Sequence, residues 1–103
     1  MSQKLSIRVV RRADREITEA AAWWRVNRPI APDAFREELQ RAFDLIASQP
    51  QVGARAHNVK LAGVRRVHLS RIRYYLYYRH TTSKDTIEVL ALWHTSRGVG
   101  PEL

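Results

Sequence analysis

The sequence predicts an α+β domain in which a helical hairpin covers one face of a mainly antiparallel β-sheet. Two helical patterns follow one another in the first half of the 103-residue chain, whereas alternating apolar and polar positions dominate the second half. Helices and strands are therefore segregated, in the order β-α-α-β-β-β, which is typical of the α+β class. The length suits a single domain over residues 1–103, and no repeat or linker divides it.

The first strand and the first helix are predicted near the start of the chain. Side chains alternate over residues 5–11, and the predicted buried side of this strand holds Leu5, Ile7 and Val9. Asp14 opens a helical pattern whose apolar positions recur at the spacing of one helix face. These positions are Ile17, Ala20, Ala21 and Trp24. We expect this helix to end near Asn27 and Arg28, because Pro29 disfavours helical geometry in the residue before it.

A second helix is predicted to begin around Pro32 and Asp33 and to end at Pro50. Its apolar stripe consists of Phe35, Leu39, Ala42, Phe43 and Ile46. Because only a short turn separates the two helices, we expect an antiparallel helical hairpin. Residues 49–63 are expected to be irregular, since glycines interrupt any regular pattern there.

Strands are predicted over residues 64–69, 71–79 and 87–97, and the polar segment 81–86 joins the last two as a hairpin. Within 71–79 the even positions carry Ile, Tyr, Leu and Tyr, which we expect to face the helices. The odd positions then face the opposite side of the sheet, which we call the open face. They carry Arg71, Arg73, Tyr75, Tyr77 and Arg79.

The last strand is apolar on both sides, and Leu90 and Leu92 share one side with Glu88 and His94. One interpretation is a central strand that is buried from both directions. The other is that Leu90 and Leu92 lie on the open face and await a partner chain, since exposed apolar patches mark interfaces. The sequence leaves both interpretations open.

Charge and composition indicate the kind of partner. The net charge is +8, with nine basic and seven acidic residues in 1–51 but nine and three in 52–103. A basic half-domain favours nucleic acid, an acidic protein segment or an anionic membrane as partner. The chain has no cysteine, which excludes disulfides and thiolate metal sites. Because no apolar run is long enough to span a membrane and the N-terminus lacks a secretory signal pattern, we expect a cytoplasmic protein.

His94 is the best candidate for acid–base chemistry, because the unperturbed pKa of histidine lies near neutrality. If Arg79 pairs with Glu88, Arg73 would lie opposite His94, and other registers would put Arg71 or Tyr75 there. A metal-free ribonuclease needs a base, an acid and cations for the developing phosphorane charge, and an Arg–His pair beside two tyrosines could act on a phosphodiester. However, Glu88 is the single carboxylate of this face, and we expect a hairpin arginine to neutralise it.

The order β-αα-βββ spans the whole chain, and a strand near Val64–Val67 precedes the strand rich in Arg and Tyr. The chain then ends Val89-Leu90-Ala91-Leu92-Trp93-His94-Thr95-Ser96-Arg97. Together these features resemble the RelE/ParE superfamily of type II toxin–antitoxin toxins, and the ending is similar to the ParE-type pattern of apolar strand, His, two residues and Arg. The YoeB-like nucleases begin a corresponding strand segment with arginine, where this chain has Tyr75. The resemblance is therefore to the ParE-like branch.

The resemblance implies a cytoplasmic bacterial or archaeal toxin, held inactive by a cognate antitoxin with an acidic, amphipathic segment. ParE-like toxins inhibit DNA gyrase by binding, whereas RelE-like and YoeB-like toxins cleave messenger RNA on the ribosome. We expect gyrase inhibition, with ribosome-dependent cleavage as the alternative. A third possibility is a non-toxic nucleic-acid-binding module in which Tyr75 and Tyr77 stack bases beside arginines.

The predicted site residues fall into sets. Target binding is assigned to a basic face of Arg65, Arg66, Arg71, Arg73, Arg79, His94 and Arg97. Antitoxin anchors are expected to be Tyr75, Tyr77, Leu90 and Leu92 together with Trp23 or Trp24, one of which should lie in the core. We predict no catalytic residue, but the nuclease alternative would use His94, Arg73 and Arg97. No cofactor or metal is expected, because the histidines lack ligand spacing.

Overall fold

Two helices pack against one face of a five-stranded mixed sheet in the computed structural model, which describes residues 4–103. The elements are β1 (Ser6–Val9), α1 (Arg11–Asn27), α2 (Ala34–Ser48), β2 (Ala54–Arg55), β3 (Val64–Leu69), β4 (Tyr74–Thr81) and β5 (Thr86–His94). The strand order is β1-β5-β4-β3-β2, in which β1 runs parallel to β5 and the other pairs are antiparallel. The predicted α+β architecture is confirmed, and the short β2 is an addition. Residues 1–3, used above for the signal-sequence expectation, lie outside the described part.

The helical hairpin forms as the sequence predicts, with α1 beginning earlier than Asp14. The backbone N–H of Asp14 donates to the carbonyl of Val10, which extends the helix back to Arg11. At the other end, the indole N–H of Trp24 donates to the carbonyl of Ala31 at 2.8 Å and fixes the turn between the helices. Within residues 4–103, no helix is long and apolar enough to cross a membrane.

The main core lies between the helices and the sheet. A chain of aromatic contacts runs through it, from Trp24 to Phe35 at 6.4 Å and from Phe35 to Tyr74 at 5.9 Å between ring centroids. Trp24 is the buried tryptophan at 9% exposure, whereas its neighbour Trp23 is 47% exposed. The largest fully buried side chains are Ile46, Ile72, Leu76, Tyr78, Ile87 and Val89.

Tyr78 also secures the irregular segment after α2. Its hydroxyl donates to the carbonyl of Pro50 at 2.8 Å and accepts from the backbone N–H of Gly53 at 2.9 Å. A Cβ atom at Gly53 would lie 2.8 Å from that hydroxyl and from the carbonyl oxygen of Arg66. Only glycine therefore allows this segment to approach the sheet so closely.

A second apolar cluster lies on the open face, consisting of Val64, Tyr77, Leu90 and Ala91. The chain covers this cluster itself, because Leu103, Val59 and Leu61 pack against it. The carbonyl of Leu103 accepts from the backbone N–H groups of Lys60 and Leu61 at 2.9 and 3.2 Å, which ties the C-terminal segment to the loop before β3. β5 is thus a central strand buried from both directions.

The other interpretation of β5, in which Leu90 and Leu92 await a partner, is wrong. Leu90 is 7% exposed beneath the C-terminal segment, and Leu92 is 3% exposed in the helix-side core. A β-bulge explains why the two leucines point to opposite sides. Tyr77 pairs with Ala91 but Tyr78 pairs with Val89, so Leu90 is an extra residue in β5. Beyond the bulge every side chain of β5 changes face relative to a regular strand.

The predicted strand over 71–79 begins too early. Arg71, Ile72 and Arg73 form a turn, in which the N–H groups of Ile72 and Arg73 both donate to the carbonyl of Leu69. Arg73 has φ +64°, which is left-handed backbone and ends any strand alternation. From Tyr74 onward the prediction holds, since Tyr74, Leu76 and Tyr78 belong to the helix-side core and Tyr75 and Tyr77 to the open-face cluster.

Candidate functional site

Rings from three neighbouring strands form a row across the open face, which we call the aromatic row: His68, Tyr75 and Trp93. Tyr75 is the register partner of His68 in β3 and of Trp93 in β5. The centroids of His68 and Tyr75 lie 5.0 Å apart. His68 is exposed, and the other two rings are half-buried. The row therefore offers a partly accessible aromatic surface.

Guanidinium groups lie over two of these rings. The Arg66 Cζ atom is 4.0 Å from the centroid of Tyr75, and Arg97 Cζ is 3.7 Å from that of Trp93. The Arg66 guanidinium also donates to the Tyr77 hydroxyl at 3.2 Å, and the Trp93 indole N–H donates to the backbone carbonyl of Arg97 at 3.0 Å. Each exposed cation–π contact contributes about 0.5–1 kcal/mol. Within residues 4–103, neither Arg66 nor Arg97 has a carboxylate partner.

Glu88 lies on the open face between two arginines. It accepts from Arg79 at 2.7 Å and from Arg8 at 2.6 Å, and from the Thr81 hydroxyl at 3.0 Å. The bond from Arg79, supported by that from Thr81 and by the charges of both arginines, holds the pKa of Glu88 below its ordinary value. The expected neutralisation of Glu88 by a hairpin arginine is confirmed. Arg79 is therefore neutralised by a carboxylate, whereas Arg66 and Arg97 have no such partner among the described residues.

Other residues predicted for the basic face lie elsewhere. Arg65 is the register partner of Tyr78 on the helix side and donates to the Gly53 carbonyl at 2.7 Å. Arg71, in the turn between β3 and β4, reaches Glu37 of α2 at 3.4 Å. Arg73 is exposed in the turn before β4. The prediction that all three share the open face with Arg66 is wrong. Strand alternation puts Arg65 on the helix side, and Arg71 and Arg73 lie in a turn outside the strands.

His94 does not face Arg73, although Arg79 does pair with Glu88. The bulge at Leu90 shifts the register, so His94 pairs with Tyr74, and the two rings lie edge to face on the helix side. The Nδ1 atom of His94 accepts from the backbone N–H of Ser96 at 3.1 Å and lies 2.7 Å from its hydroxyl. Because an N–H can only donate, a neutral ring carries its proton on Nε2.

The groups named for a nuclease are therefore not assembled on one surface. His94 packs against Tyr74 on the helix side, whereas Arg97 stacks on Trp93 on the open face. Within the described residues, no group of three or more His, Asp or Glu side chains is placed to hold a metal ion. The arrangement suits binding through rings and cations better than proton transfer.

Most predicted antitoxin anchors are not accessible. Trp24, Tyr77, Leu90 and Leu92 are all buried. Trp23 is exposed on α1, with the Cζ atom of Arg28 5.2 Å above its ring, and Tyr75 belongs to the aromatic row. Of the predicted antitoxin anchors, only Trp23 and Tyr75 are thus accessible, and they lie on opposite faces of the molecule.

A groove between the two helices is a candidate site that the sequence did not reveal. It has a volume of about 310 Å³ and is lined by Ile17, Ala21, Arg25, Pro32, Asp33, Phe35, Arg36 and Leu39. Ile17, Ala21 and Leu39 are only half-buried. In the sequence these apolar residues belong to the stripes predicted to face the core. The apolar stripes of the two helices are wider than their contact with the sheet requires, and this excess width could have indicated an outward-facing groove.

Comparisons with known proteins agree with this architecture. The family model described as "ParE toxin of type II toxin-antitoxin system, parDE" matches residues 7–99. A solved structure described as "Chromosomal ParDE TA system from P. aeruginosa" has a similar fold, with a TM-score of 0.61 and 20% identity, over 90% of this chain and 98% of that chain. No curated protein matches the sequence. The chain belongs to the ParE toxin family of type II toxin–antitoxin systems.

Proposed function

We propose that this protein inhibits DNA gyrase in the cytoplasm by binding to it, and that a cognate antitoxin neutralises it. The observation that carries the proposal is the match to the ParE toxin family over residues 7–99. The strongly basic second half of the chain is consistent with an acidic partner or with a target that holds nucleic acid. The gyrase contacts are proposed to include Arg66, Arg97 and the exposed Arg73.

Binding is favoured over messenger RNA cleavage by the positions of the candidate groups. A metal-free ribonuclease needs an acid, a base and a cation within reach of one phosphodiester. His94 and Arg97 lie on opposite sides of β5, and Glu88 is held by two arginines. A scissile phosphate on the open face would therefore meet cations and one exposed imidazole, that of His68, but no free carboxylate from the described strands.

The groove between the helices is proposed as the seat of the antitoxin. It combines half-buried apolar residues, Ile17, Ala21 and Leu39, with two arginines on its rim, Arg25 and Arg36. An amphipathic helix binds such a groove by placing its apolar side inward, and its acidic residues would then meet the arginines. The pair between Arg36 and Asp33 is long at 3.4 Å and exposed, so it can be exchanged for a partner carboxylate at little cost.

The experiment that tests the proposal is expression of the protein in a bacterium without its antitoxin. DNA supercoiling, the SOS response and messenger RNA integrity are followed in the same culture. We expect growth arrest, an SOS response and impaired gyrase while messages remain intact, and rescue when the antitoxin is co-expressed. Rapid cleavage of messages with normal supercoiling would overturn the proposal in favour of a nuclease.

A further inference from the structure

The geometry of the aromatic row matches the needs of an unpaired nucleobase. Its rings occupy adjacent register positions on β3, β4 and β5, and neighbouring strands in a sheet lie roughly 4.8 Å apart. Single-stranded nucleic acids are bound on sheets by stacking successive bases on aromatic rings or guanidinium planes. The row presents guanidinium planes where Arg66 covers Tyr75 and Arg97 covers Trp93, and an exposed ring at His68.

The charge around the row suits a phosphate backbone. Arg66 and Arg97 are without carboxylate partners in the described residues, and both engaged arginines of this face, Arg8 and Arg79, share Glu88. An open depression of about 570 Å³ adjoins Trp93 and Arg97. It is lined further by Arg12, Arg15, Glu16, Val99, Gly100 and Glu102. Arg12 pairs with Glu16 at 3.3 Å, whereas Arg15 has no ion-pair partner among residues 4–103 and adds a cation beyond the row.

An acidic amphipathic peptide fits this face less well than a nucleic acid strand. Such a peptide needs an apolar groove for its anchors, but Tyr77, Leu90 and Ala91 are already covered by the chain's own loop and C-terminal segment. A nucleobase needs only a planar partner. Bases inside a duplex are already stacked on one another, so a row of stacking surfaces selects single strands.

We propose that the aromatic row, together with Arg66 and Arg97, binds single-stranded nucleic acid, an activity additional to gyrase inhibition. Bases stack on the guanidinium planes that lie over the rings of Tyr75 and Trp93, and the rings support those planes. Arg66, Arg97 and Arg15 contact the phosphates. The recognition is tolerant of base sequence, because every base has a face that can stack.

Fluorescence anisotropy with the purified protein and labelled single strands tests this proposal. The probes are oligo-dT and oligo-U of roughly 12 nucleotides, and a duplex of the same length. We expect both Tyr75→Leu and Trp93→Leu to weaken binding on the order of 10-fold. The double variant Arg66→Gln, Arg97→Gln should reduce the slope of log K against log salt by about 1.4, since each single-strand phosphate contact contributes roughly 0.7.

The matched control is the double variant Arg25→Gln, Arg36→Gln, which removes the same charge from the helical face. Binding should be nearly unchanged in this control. Equal weakening in the two double variants would mean non-specific attraction and would overturn the proposal. Binding of the duplex as tightly as the single strands would also overturn it, as would Tyr75-dependent binding of an acidic amphipathic peptide without any binding of oligonucleotides.

The DNA and RNA arms identify the natural strand. Tighter binding of oligo-U would support RNA as the ligand, and tighter binding of oligo-dT would support single-stranded DNA. Since the measurement contains no gyrase, its failure leaves the gyrase proposal standing. Circular dichroism reports whether the substitutions at the half-buried rings disturb folding. If they do, the Arg97→Gln single variant is tested in their place, because Arg97 is exposed.

Discussion

The imidazole of His94 packs edge-on against the phenol ring of Tyr74, with centroids 5.0 Å apart and ring planes at 89°. Tyr74 in turn contacts Phe35 of α2, so His94 closes an aromatic chain that begins in the helical hairpin. Burial raises the pKa of the Tyr74 hydroxyl, which keeps this ring neutral. His94 is thereby a packing residue at the end of β5, and its role differs from that of a group aimed at a substrate.

Substitution of His94 by alanine should lower stability slightly and leave gyrase inhibition intact. The loss is expected to be about 1 kcal/mol, because one edge-to-face ring contact and the bond to Ser96 disappear. Thermal unfolding and a gyrase supercoiling assay on the same preparation check both parts. If the His94→Ala variant had normal stability but no toxicity, His94 would have a role in catalysis or target binding and not only in packing.

Leu92 should behave as a core residue. Leu92→Ala is expected to lower the free energy of unfolding by about 2–5 kcal/mol, since the side chain is 3% exposed among helix-side core residues. Leu92→Asp should prevent folding, whereas Val26→Asp, at a position that is 77% exposed, should change stability little. Urea unfolding measures all of these. A folded Leu92→Asp protein with a specific loss of antitoxin binding would contradict the packing described above.

Glu88→Gln should reduce stability at neutral pH by an amount that vanishes in acid. Pairing with Arg79 lowers the folded-state pKa of Glu88 below its ordinary 4.5, so the ionised form favours the folded protein. This contribution is complete above pH 4.5 and is lost as the pH falls from there through the lowered pKa. Denaturation midpoints between pH 7 and pH 3 should therefore converge for parent and variant. The control is Glu19→Gln. If the denaturation midpoint of Glu88→Gln changed with pH in the same way as that of this control, the linkage to Glu88 would be contradicted.

Arg25→Glu should weaken antitoxin binding by roughly 5- to 30-fold. Reversal converts an exposed attraction of about 0.5–1 kcal/mol into a repulsion of similar size, and high salt should shrink the difference. Surface plasmon resonance at low and high salt measures it, with Lys84→Glu in the distant β4–β5 turn as a control of equal charge change. Equal effects of the two reversals would remove the groove between the helices from the antitoxin interface.

Alternation along the chain identified the faces of β4 because polar and apolar residues take turns there. The bulge at Leu90 was not predictable in the same way. Val89, Leu90, Ala91 and Leu92 are all apolar, so no polar residue reveals that the alternation changes phase. A single extra residue then reversed the predicted faces of Leu92 and His94.

The turn before β4 was hidden for a related reason. Ser70-Arg71-Ile72-Arg73 has no Gly, Pro, Asn or Asp, and Arg73 adopts a positive φ that is uncommon for a residue with a side chain. Ile72 is buried at 2% exposure and so imitates the inward position of a strand. The covering of the open face by the segment that ends at Leu103 was equally invisible, because it depends on long-range contacts with Lys60 and Leu61.

Gyrase inhibition by binding is tested most directly with purified components. The toxin is titrated into a reaction of gyrase and relaxed plasmid, and a messenger RNA in a translation extract is followed in parallel. We predict a dose-dependent loss of supercoiling, its recovery when the antitoxin is added, and an intact message. Gyrase that remains fully active at a large excess of folded toxin would contradict the account.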